Sequence, residues 1–180
     1  MTYFTLTVAS SADAFIARSF EDAPQNWASA EEQELFFRDV EAADWAIMGR
    51  NTHEAADRPD RRRIVFSSRI SGWRRPTQLW LSPEALSPRE LAREVSHVYP
   101  LRNGLILGGT RVHDWFLKSG SIDAVNLTIE PVRFGEGLPI FSGQHSRNAV
   151  EVFEAHGFRV VGERTLNDAG TTYLNLVRPE

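Results

Sequence analysis

Two adjacent glycines interrupt an apolar run in the second half of the chain. Residues 105–107 are Leu-Ile-Leu, a short run typical of a buried strand, and Gly108 and Gly109 follow directly. The next segment is predicted to be helical and begins with Thr110, Arg111 and Val112. Glycines let the backbone approach a ligand closely, and the helix adds free N–H groups and a positive dipole end. The turn is suited to a pyrophosphate, although an ordinary strand-to-helix turn would carry the same glycines.

Two further predicted strands also end in residues that favour anions. The apolar strand at residues 45–48 is followed by Gly49, Arg50, Asn51 and Thr52. The strand at residues 63–66 is followed by Ser67, Ser68 and Arg69. Guanidinium groups match phosphate oxygens, and hydroxyl or amide side chains either hold phosphate or cap a helix. Because ligands in open α/β sheets lie beyond the carboxyl ends of strands, these three strand ends together predict a cofactor crevice.

These glycine motifs resemble those of the dihydrofolate reductase superfamily. The resemblance is carried by Met-Gly-Arg-Asn-Thr at residues 48–52 and Gly-Gly-Thr at residues 108–110. Residues 108–141 are similar to the C-terminal reductase domain of the riboflavin-biosynthesis deaminase/reductase RibD and its stand-alone relatives. The resemblance extends from residue 5 to about residue 177. It implies a dihydrofolate reductase-like three-layer α/β/α fold, with a mixed, mostly parallel central sheet and an antiparallel C-terminal hairpin.

The resemblance implies that the cofactor is NADPH. Its phosphates would lie on the turn at Gly108 and Gly109 and at the end of the Gly49 strand. The residues that would hold the 2′-phosphate are Arg50, Ser67, Ser68 and Arg69. NADPH is favoured over NADH because the extra dianion needs charge-assisted donors. The alternative is a solvated basic edge, and the three consecutive arginines at residues 61–63 fit that alternative better.

Glu32 is the first candidate for the proton donor of a reductase. In the folate enzymes of the superfamily a carboxylate in the first helix precedes a phenylalanine, and Glu32 precedes Phe36 by one helical turn. Both side chains would then face one pocket, the carboxylate at a ring edge and the aromatic face available for stacking. Ser29 and Glu32 also have the spacing of a capping box, which would give the glutamate a structural role instead.

Asp13 is the second acidic candidate, in a turn that resembles the Ser-x-Asp-Gly turn of RibD-type proteins near the substrate end. This chain departs from that pattern at Ala14, which does not readily adopt positive φ, so a different loop and a simple turn role for Asp13 are expected. Trp27 lies where such relatives carry a tryptophan. It either covers the substrate or packs in the fold.

The resulting functional prediction is an NADPH-dependent reductase of the RibD C-terminal or dihydrofolate reductase type. Its substrate would be a pyrimidine- or pterin-like small molecule with a C=N or C=O bond, as in the riboflavin pathway. Dihydrofolate itself is disfavoured by the RibD-like tail. The lack of a zinc deaminase segment in this sequence argues against a riboflavin-pathway role, unless the reductase acts separately. The alternative is a non-catalytic NADP(H)-binding or regulatory protein that keeps the fold.

Composition is typical of a single compact domain over residues 1–180. The net charge of −4 argues against non-specific nucleic-acid or membrane binding. No apolar run is long enough for a membrane span and no signal-peptide pattern is present, so we expect a cytoplasmic protein. Cysteine is absent and the five histidines show no metal spacing, so we expect no bound metal. The resemblance further implies a homodimer formed through the last strands.

Hydrophobic periodicity predicts alternating strands and helices, followed by a strand-rich end. Helices are predicted to begin after Ser29, Asn51 and Ser87 and to cover residues 111–118. Strands are predicted at residues 3–9, 14–17, 45–48, 63–66, 79–81, 105–107 and 124–129, and then at 150–153, 158–166 and 171–177. The last two form a hairpin across residues 167–170. This order predicts a mixed central sheet flanked by helices.

Overall fold

The computed structural model describes residues 1–179, and a nine-stranded mixed sheet forms its centre. The strands are β1 (Tyr3–Ser10), β2 (Phe15–Ala17), β3 (Trp45–Gly49), β4 (Arg63–Phe66), β5 (Gly72–Arg75), β6 (Gln78–Leu81), β7 (Asn103–Gly108), β8 (Ala124–Ile129), β9 (Leu138–Pro139), β10 (Arg159–Thr165) and β11 (Thr172–Val177). The central sheet has the order β10-β11-β8-β1-β7-β3-β4-β6-β5. β2 and β9 form a separate antiparallel pair.

Helices cover both faces of the central sheet. They are α1 (Ala30–Ala42), α2 (Arg50–Ala55), α3 (Pro88–Val95), α4 (Thr110–Lys118) and α5 (Ala149–Glu154). Alternate strand residues face opposite layers: Ile47 and Ile64 pack in the core that contains α3, α4 and α5, whereas Met48 and Val65 belong to a second core beside α1. This arrangement confirms the predicted three-layer α/β/α fold.

The parallel strands bring the predicted site together at one edge of the sheet. β3 pairs in parallel with β4 and with β7. Gly49 is the register partner of Phe66, and Met48 is the register partner of Gly108. The three strand ends that carry anion-binding residues are therefore neighbours, as the sequence predicts.

The predicted strand at residues 150–153 is wrong, because this segment belongs to helix α5. Asn148 caps the helix: its Oδ1 accepts hydrogen bonds from the N–H groups of Val150 at 2.9 Å and Glu151 at 3.2 Å. Val152 and Phe153 are then buried in the core. A short apolar run with β-branched residues is ambiguous in sequence, and the asparagine cap decides in favour of a helix.

The other predicted elements agree with the structure to within a few residues. The hairpin across residues 167–170 is confirmed by antiparallel pairing of β10 with β11, and α3 begins with the full capping box of Ser87 and Glu90. The sequence did not reveal β5 or β9. Gly72–Arg75 lacks apolar alternation, and Leu138–Pro139 contains only two residues.

Candidate functional site

A single large cleft of about 1280 Å³ lies at the carboxyl ends of β3, β4 and β7 and continues along α1 and α2. The predicted cofactor residues that line it are Gly49, Arg50, Asn51, Thr52, Ser67, Ser68, Arg69, Gly109, Thr110, Arg111 and Val112. Gly108 does not line the cleft, because it lies behind the turn. The predicted proton donor Glu32 and the predicted substrate residue Phe36 line the same cleft. The structure thus joins two residue sets that are distant in sequence.

The glycine turn between β7 and α4 is shaped by what lies on each side of it. Gly108 has φ +116°, and a Cβ at this position would lie 2.8 Å from Nε2 of His113. A Cβ on Gly109 would meet nothing within 4 Å. Gly108 therefore cannot carry a side chain without disturbing the fold, whereas Gly109 leaves space open to the cleft. The peptide bond between the two glycines is cis.

His113 supports this turn from inside the core. It is fully buried, and its Nδ1 lies 2.9 Å from the carbonyl oxygen of Ile140. Burial lowers the pKa of His113, although the Ile140 carbonyl acts in the opposite direction. The neutral ring therefore donates from Nδ1 to that carbonyl, and Nε2 has no partner in the described part of the chain.

The two helix N-termini at the cleft lie side by side. Gly49 is the N-cap of α2 and Gly109 is the N-cap of α4, and neither helix has a side-chain cap. A Cβ on Gly49 would lie 3.7 Å from Cγ2 of Val112 and 3.9 Å from the nitrogen of Gly109. The glycines therefore allow a close approach, and the uncapped N–H groups of α4 provide an anion cradle suited to a pyrophosphate.

The arginines that line the cleft beside this cradle make few ion pairs with carboxylates of the protein. Arg50 makes a long ion pair with Glu54, 3.6 Å between Nε and Oε1. Arg69 is exposed, and its backbone N–H donates to Oγ of Ser67 at 3.2 Å. No carboxylate within residues 1–179 ion-pairs with Arg69 or Arg111. The donor set, with its two arginines free to turn toward an anion, fits the phosphates of NADPH.

Arg63 departs from the prediction that the arginines at 61–63 form a solvated edge. Its side chain is buried at the start of β4, a strand flanked by β3 and β6. Its NH1 lies 3.2 Å from Nδ1 of His53, whose ring packs edge-on against Trp80. Burial is the main cause that lowers the pKa of both His53 and Arg63, so His53 is a neutral acceptor. Arg61 and Arg62 remain partly exposed.

Glu32 does not complete the predicted capping box with Ser29. Ser29 Oγ accepts from the Glu32 N–H at 3.2 Å, but the Ser29 N–H donates to Oε1 of Glu130 at 2.7 Å. The Glu32 carboxylate instead accepts a hydrogen bond from Nε2 of Gln33 at 2.7 Å. The capping-box role predicted as the alternative for Glu32 is therefore wrong, and its carboxyl group lines the cleft.

The environment of Glu32 favours its protonated form. Burial is the main cause that raises its pKa to about 7, and the negative charges of Glu130 and Asp39 act in the same direction. The hydrogen bond from Gln33 opposes this shift. At neutral pH a large share of Glu32 therefore carries a proton, as a general acid requires.

Aromatic side chains lie near Glu32. Phe36 and Phe37 form an edge-to-face pair with ring centroids 5.7 Å apart, and both line the cleft. Phe20 lines it too and is highly exposed. Sequence reasoning missed Phe20, Phe37 and Gln33, since position on the first helix singled out only Phe36. These rings provide stacking surfaces for a planar ligand.

Asp13 lies outside the lining of the cleft. Its carboxylate accepts hydrogen bonds from Ser11 Oγ at 2.7 Å and from the N–H groups of Phe134 at 3.0 Å and Gly135 at 2.7 Å. Desolvation, which raises the pKa of Asp13, is outweighed by these hydrogen bonds, so its pKa is lowered. Ala14 adopts φ +69° despite the expectation from its side chain. Asp13 thus ties two loops together.

Trp27 also lies outside the cleft lining. Its ring packs edge-to-face against Phe134 with centroids 5.1 Å apart. Of the two roles that the sequence left open, this position matches packing in the fold. Its buried Nε1 has no hydrogen-bond partner among the described residues.

The comparisons with known proteins agree with this architecture. The model of the family described as RibD C-terminal domain matches residues 2–166. The chain belongs to the RibD C-terminal domain family. Comparison with curated protein sequences gives no match.

Solved structures with the same fold include riboflavin-biosynthesis proteins from three bacteria. A putative riboflavin biosynthesis protein from Shewanella sp. PV-4 has a TM-score of 0.73 at 18% identity, with 99% of this chain and 100% of that chain covered. The Thermotoga maritima diaminohydroxyphosphoribosylaminopyrimidine deaminase/5-amino-6-(5-phosphoribosylamino)uracil reductase has a TM-score of 0.72 at 18% identity, with 99% and 57% covered. Acinetobacter baumannii RibD has a TM-score of 0.74 at 17% identity, with 99% and 58% covered. The chain spans just over half the length of the last two proteins.

Family membership agrees with the reductase class predicted from the glycine motifs. The matched range includes the glycine turns at Gly49 and at Gly108 and Gly109, and the predicted proton donor Glu32. Across residues 1–179 no helix has the length and apolar character needed to cross a membrane.

Proposed function

We propose that this RibD C-terminal domain protein is an NADPH-dependent reductase of a planar pyrimidine- or pterin-like molecule. The observation that supports it is one continuous cleft with an anion cradle at Gly109 and a protonatable buried carboxyl group at Glu32. A site that only binds a nucleotide has no need of such an acid. The non-catalytic alternative therefore lacks a supporting observation of its own.

The cofactor half of the proposal assigns NADPH to the glycine turns. The pyrophosphate would be held by the turn at Gly109 and the N-terminus of α4, and the 2′-phosphate by Arg69 with Ser67 and Ser68. When bound, NADPH supplies a hydride. The protein contributes position and charge: Arg50, Arg69 and Arg111 neutralise the phosphates, and the glycines allow the backbone to approach them.

The substrate half of the proposal lies along α1. Phe36 and Phe37 stack on a planar ring, and Glu32 donates its proton to the nitrogen or oxygen of the C=N or C=O bond being reduced. The proton and the hydride together saturate the bond, and Glu32 is left as a carboxylate that solvent reprotonates. The low polarity around Glu32 keeps the proton available near neutral pH.

Arginines at the same cleft support a substrate that carries an anionic substituent. The guanidinium of Arg61 lies over the ring of Phe37, 5.6 Å from its centroid, and Arg58 also lines the cleft. Neither makes an ion pair within residues 1–179. A phosphorylated ribosylaminopyrimidine, of the kind named for the Thermotoga maritima reductase, matches this combination of aromatic face and cations.

The first test is titration of the protein with NADPH and NADH, followed by nucleotide fluorescence. We expect tighter binding of NADPH, loss of binding in Gly109→Val because its side chain fills the open space of the turn, and no change in Arg89→Ala, an exposed control on α3 away from the cleft. Glu32→Gln should still bind NADPH but lose about 10²-fold or more in kcat with a pyrimidine or pterin acceptor. Absence of NADPH binding would contradict the reductase assignment; binding without turnover of any acceptor would favour the non-catalytic alternative.

A homodimer, a cytoplasmic location and a single domain over residues 1–180 remain predictions. Sedimentation of the purified protein measures the first directly. We propose the last strands, β10 and β11, as the dimer contact, in accordance with the resemblance.

A further inference from the structure

The N-terminus of α1 is capped by a glutamate from a distant strand. The Ser29 N–H and Ser29 Oγ–H both donate to Oε1 of Glu130 at 2.7 Å. In a capping box this position is taken by the glutamate three residues after the cap, which is Glu32 here. Glu130 has thus replaced Glu32 in the role that local sequence assigns to it.

Helix α3 shows the ordinary arrangement in the same molecule. Its cap Ser87 donates from the backbone N–H to Oε2 of Glu90 at 2.7 Å, and Glu90 donates from its own N–H to Ser87 Oγ at 3.3 Å. The two helices carry the same Ser-x-x-Glu pattern. They differ in the partner of the cap serine: among residues 1–179, the side chain that accepts from the Ser87 N–H is Glu90 of the same helix.

Glu130 is held firmly in place from several directions. It follows the last residue of β8, is buried, and its backbone N–H donates to the Ser10 carbonyl at 2.9 Å. Its Oε2 accepts a hydrogen bond from Thr171 Oγ1 at 2.7 Å. Both carboxylate oxygens are therefore engaged, one by α1 and one by the residue that precedes β11.

We propose that Glu130 is a positioning residue which caps α1 in place of Glu32 and so leaves the Glu32 carboxyl group in the cleft. This inference deepens the proposed function. Only the role of Glu32 toward a substrate rests on that function; the position of its carboxyl group does not. Without Glu130, the free Ser29 N–H would recruit Glu32 as in α3, and the acid would leave its cleft position.

Negative charges near Glu32 also raise its pKa. Glu130 approaches from β8, and Asp39 lies two turns further along α1. Asp39 accepts hydrogen bonds from Thr7 Oγ1 and Asn126 Nδ2, both at 2.9 Å, and pairs with Arg38. Glu21 and Asp22 also line the cleft, in the segment before α1, and Asp22 is ion-paired with Arg18. No arginine or lysine ion-pairs with Glu32 within residues 1–179.

The test is a carboxyl ¹³C NMR titration of the free protein, with Glu32→Gln to assign the Glu32 signal. In Glu130→Ala we expect the pKa of Glu32 to fall from about 7 toward the ordinary 4.5, because a carboxylate that accepts a backbone N–H is stabilised in its ionised form. In Glu130→Gln the amide oxygen still accepts from Ser29, so the fall should be smaller and reflect lost charge alone. Glu34→Gln, an exposed position on the same helix outside the cleft lining, is the matched control and should leave the Glu32 pKa unchanged.

A Glu32 pKa that falls no further in Glu130→Ala than in Glu130→Gln would overturn the proposal, because only the alanine removes the acceptor for Ser29. Glu130→Asp serves if Glu130→Ala fails to fold: it keeps the negative charge but shortens the side chain away from Ser29, and an unchanged Glu32 pKa in this variant would also overturn the proposal. The titration needs neither NADPH nor substrate. A wild-type pKa near 7 that depends on Glu130 in a protein without reductase activity would contradict the proposed function while supporting this inference.

Discussion

Gly108 lies directly against His113, so that a Cβ on the glycine would sit 2.8 Å from Nε2 of the imidazole. The imidazole has no room to retreat, since it is fully buried and its Nδ1 is bonded to Ile140. The glycine turn is thus specified by the core beneath it as well as by the ligand that we propose above it.

We expect Gly108→Ala to reduce the free energy of unfolding by about 2 kcal/mol or more, because it combines positive φ with this steric conflict. Urea denaturation measures the loss. Gly109→Ala is the control and should retain nearly all of the stability, since its Cβ would meet no atom within 4 Å. Equal losses in the two variants would contradict the assignment of different roles to the two glycines.

The pH dependence of stability provides a second prediction. The pKa of Glu32 is raised to about 7 in the folded protein from an ordinary 4.5, so the folded state binds more protons between these values and stability falls as pH rises through that window. Below the window Glu32 is protonated in both states and carries no penalty. Above the window the free energy of unfolding is reduced by the full effect of the shift, at most about 3 kcal/mol.

Glu32→Gln should therefore be more stable than the wild type at pH 8, and the difference should shrink as the pH falls toward 4.5. Thermal unfolding across this range measures the effect. Asp13, whose pKa is lowered, has the opposite sign, and Asp13→Asn should lose stability at pH 8. A wild type as stable as Glu32→Gln at every pH would show that burial does not perturb this carboxyl group.

Cofactor selectivity should depend on Arg69. Removal of a charge-assisted partner of the 2′-phosphate should weaken NADPH binding by about ten- to a hundredfold and leave NADH nearly unaffected. Isothermal titration of Arg69→Ala with both nucleotides checks this, with Arg89→Ala on α3 as the exposed control. Equal weakening of NADPH and NADH would place Arg69 at the pyrophosphate instead.

The two serine N-caps should contribute different amounts to the free energy of unfolding. Ser87→Ala in α3 should cost about 1 kcal/mol, the usual value for an N-cap. Ser29→Ala should cost more, because it also removes a hydrogen bond to the buried carboxylate of Glu130. Parallel urea unfolding of the two variants gives the comparison, and an equal or smaller cost at Ser29 would argue against the importance of the long-range cap.

Much of the fold follows from local patterns. Apolar runs that end in glycine, serine or arginine located the ends of β3, β4 and β7, and parallel pairing brings these ends together at Gly49, Phe66 and Gly108. The capping box at Ser87 predicted the start of α3. These features depend on backbone conformation and side-chain periodicity within a few residues, so they are visible in sequence.

Other features arise only when distant segments meet. Residues 150–153 have a strand-like composition, yet the Asn148 cap and the core beneath Val152 make them helical. Arg63 belongs to a run of three arginines, yet its place in β4 buries it beside His53. At Arg63 tertiary burial outweighs the local signal, because its contacts are made by residues far away in the chain, whereas at residues 150–153 a local cap acts together with burial in the core.

The candidate acid shows the same division most clearly. The sequence by itself determined that Glu32 stands at the third position of a helix, one turn before Phe36, where it serves either as a cap or as an acid. Only the tertiary structure decided that Glu32 does not form the reciprocal cap, because the competing residue Glu130 is separated from Ser29 by 101 residues. Closure of so long a loop is stabilised by the whole sheet, and no local pattern contains that information.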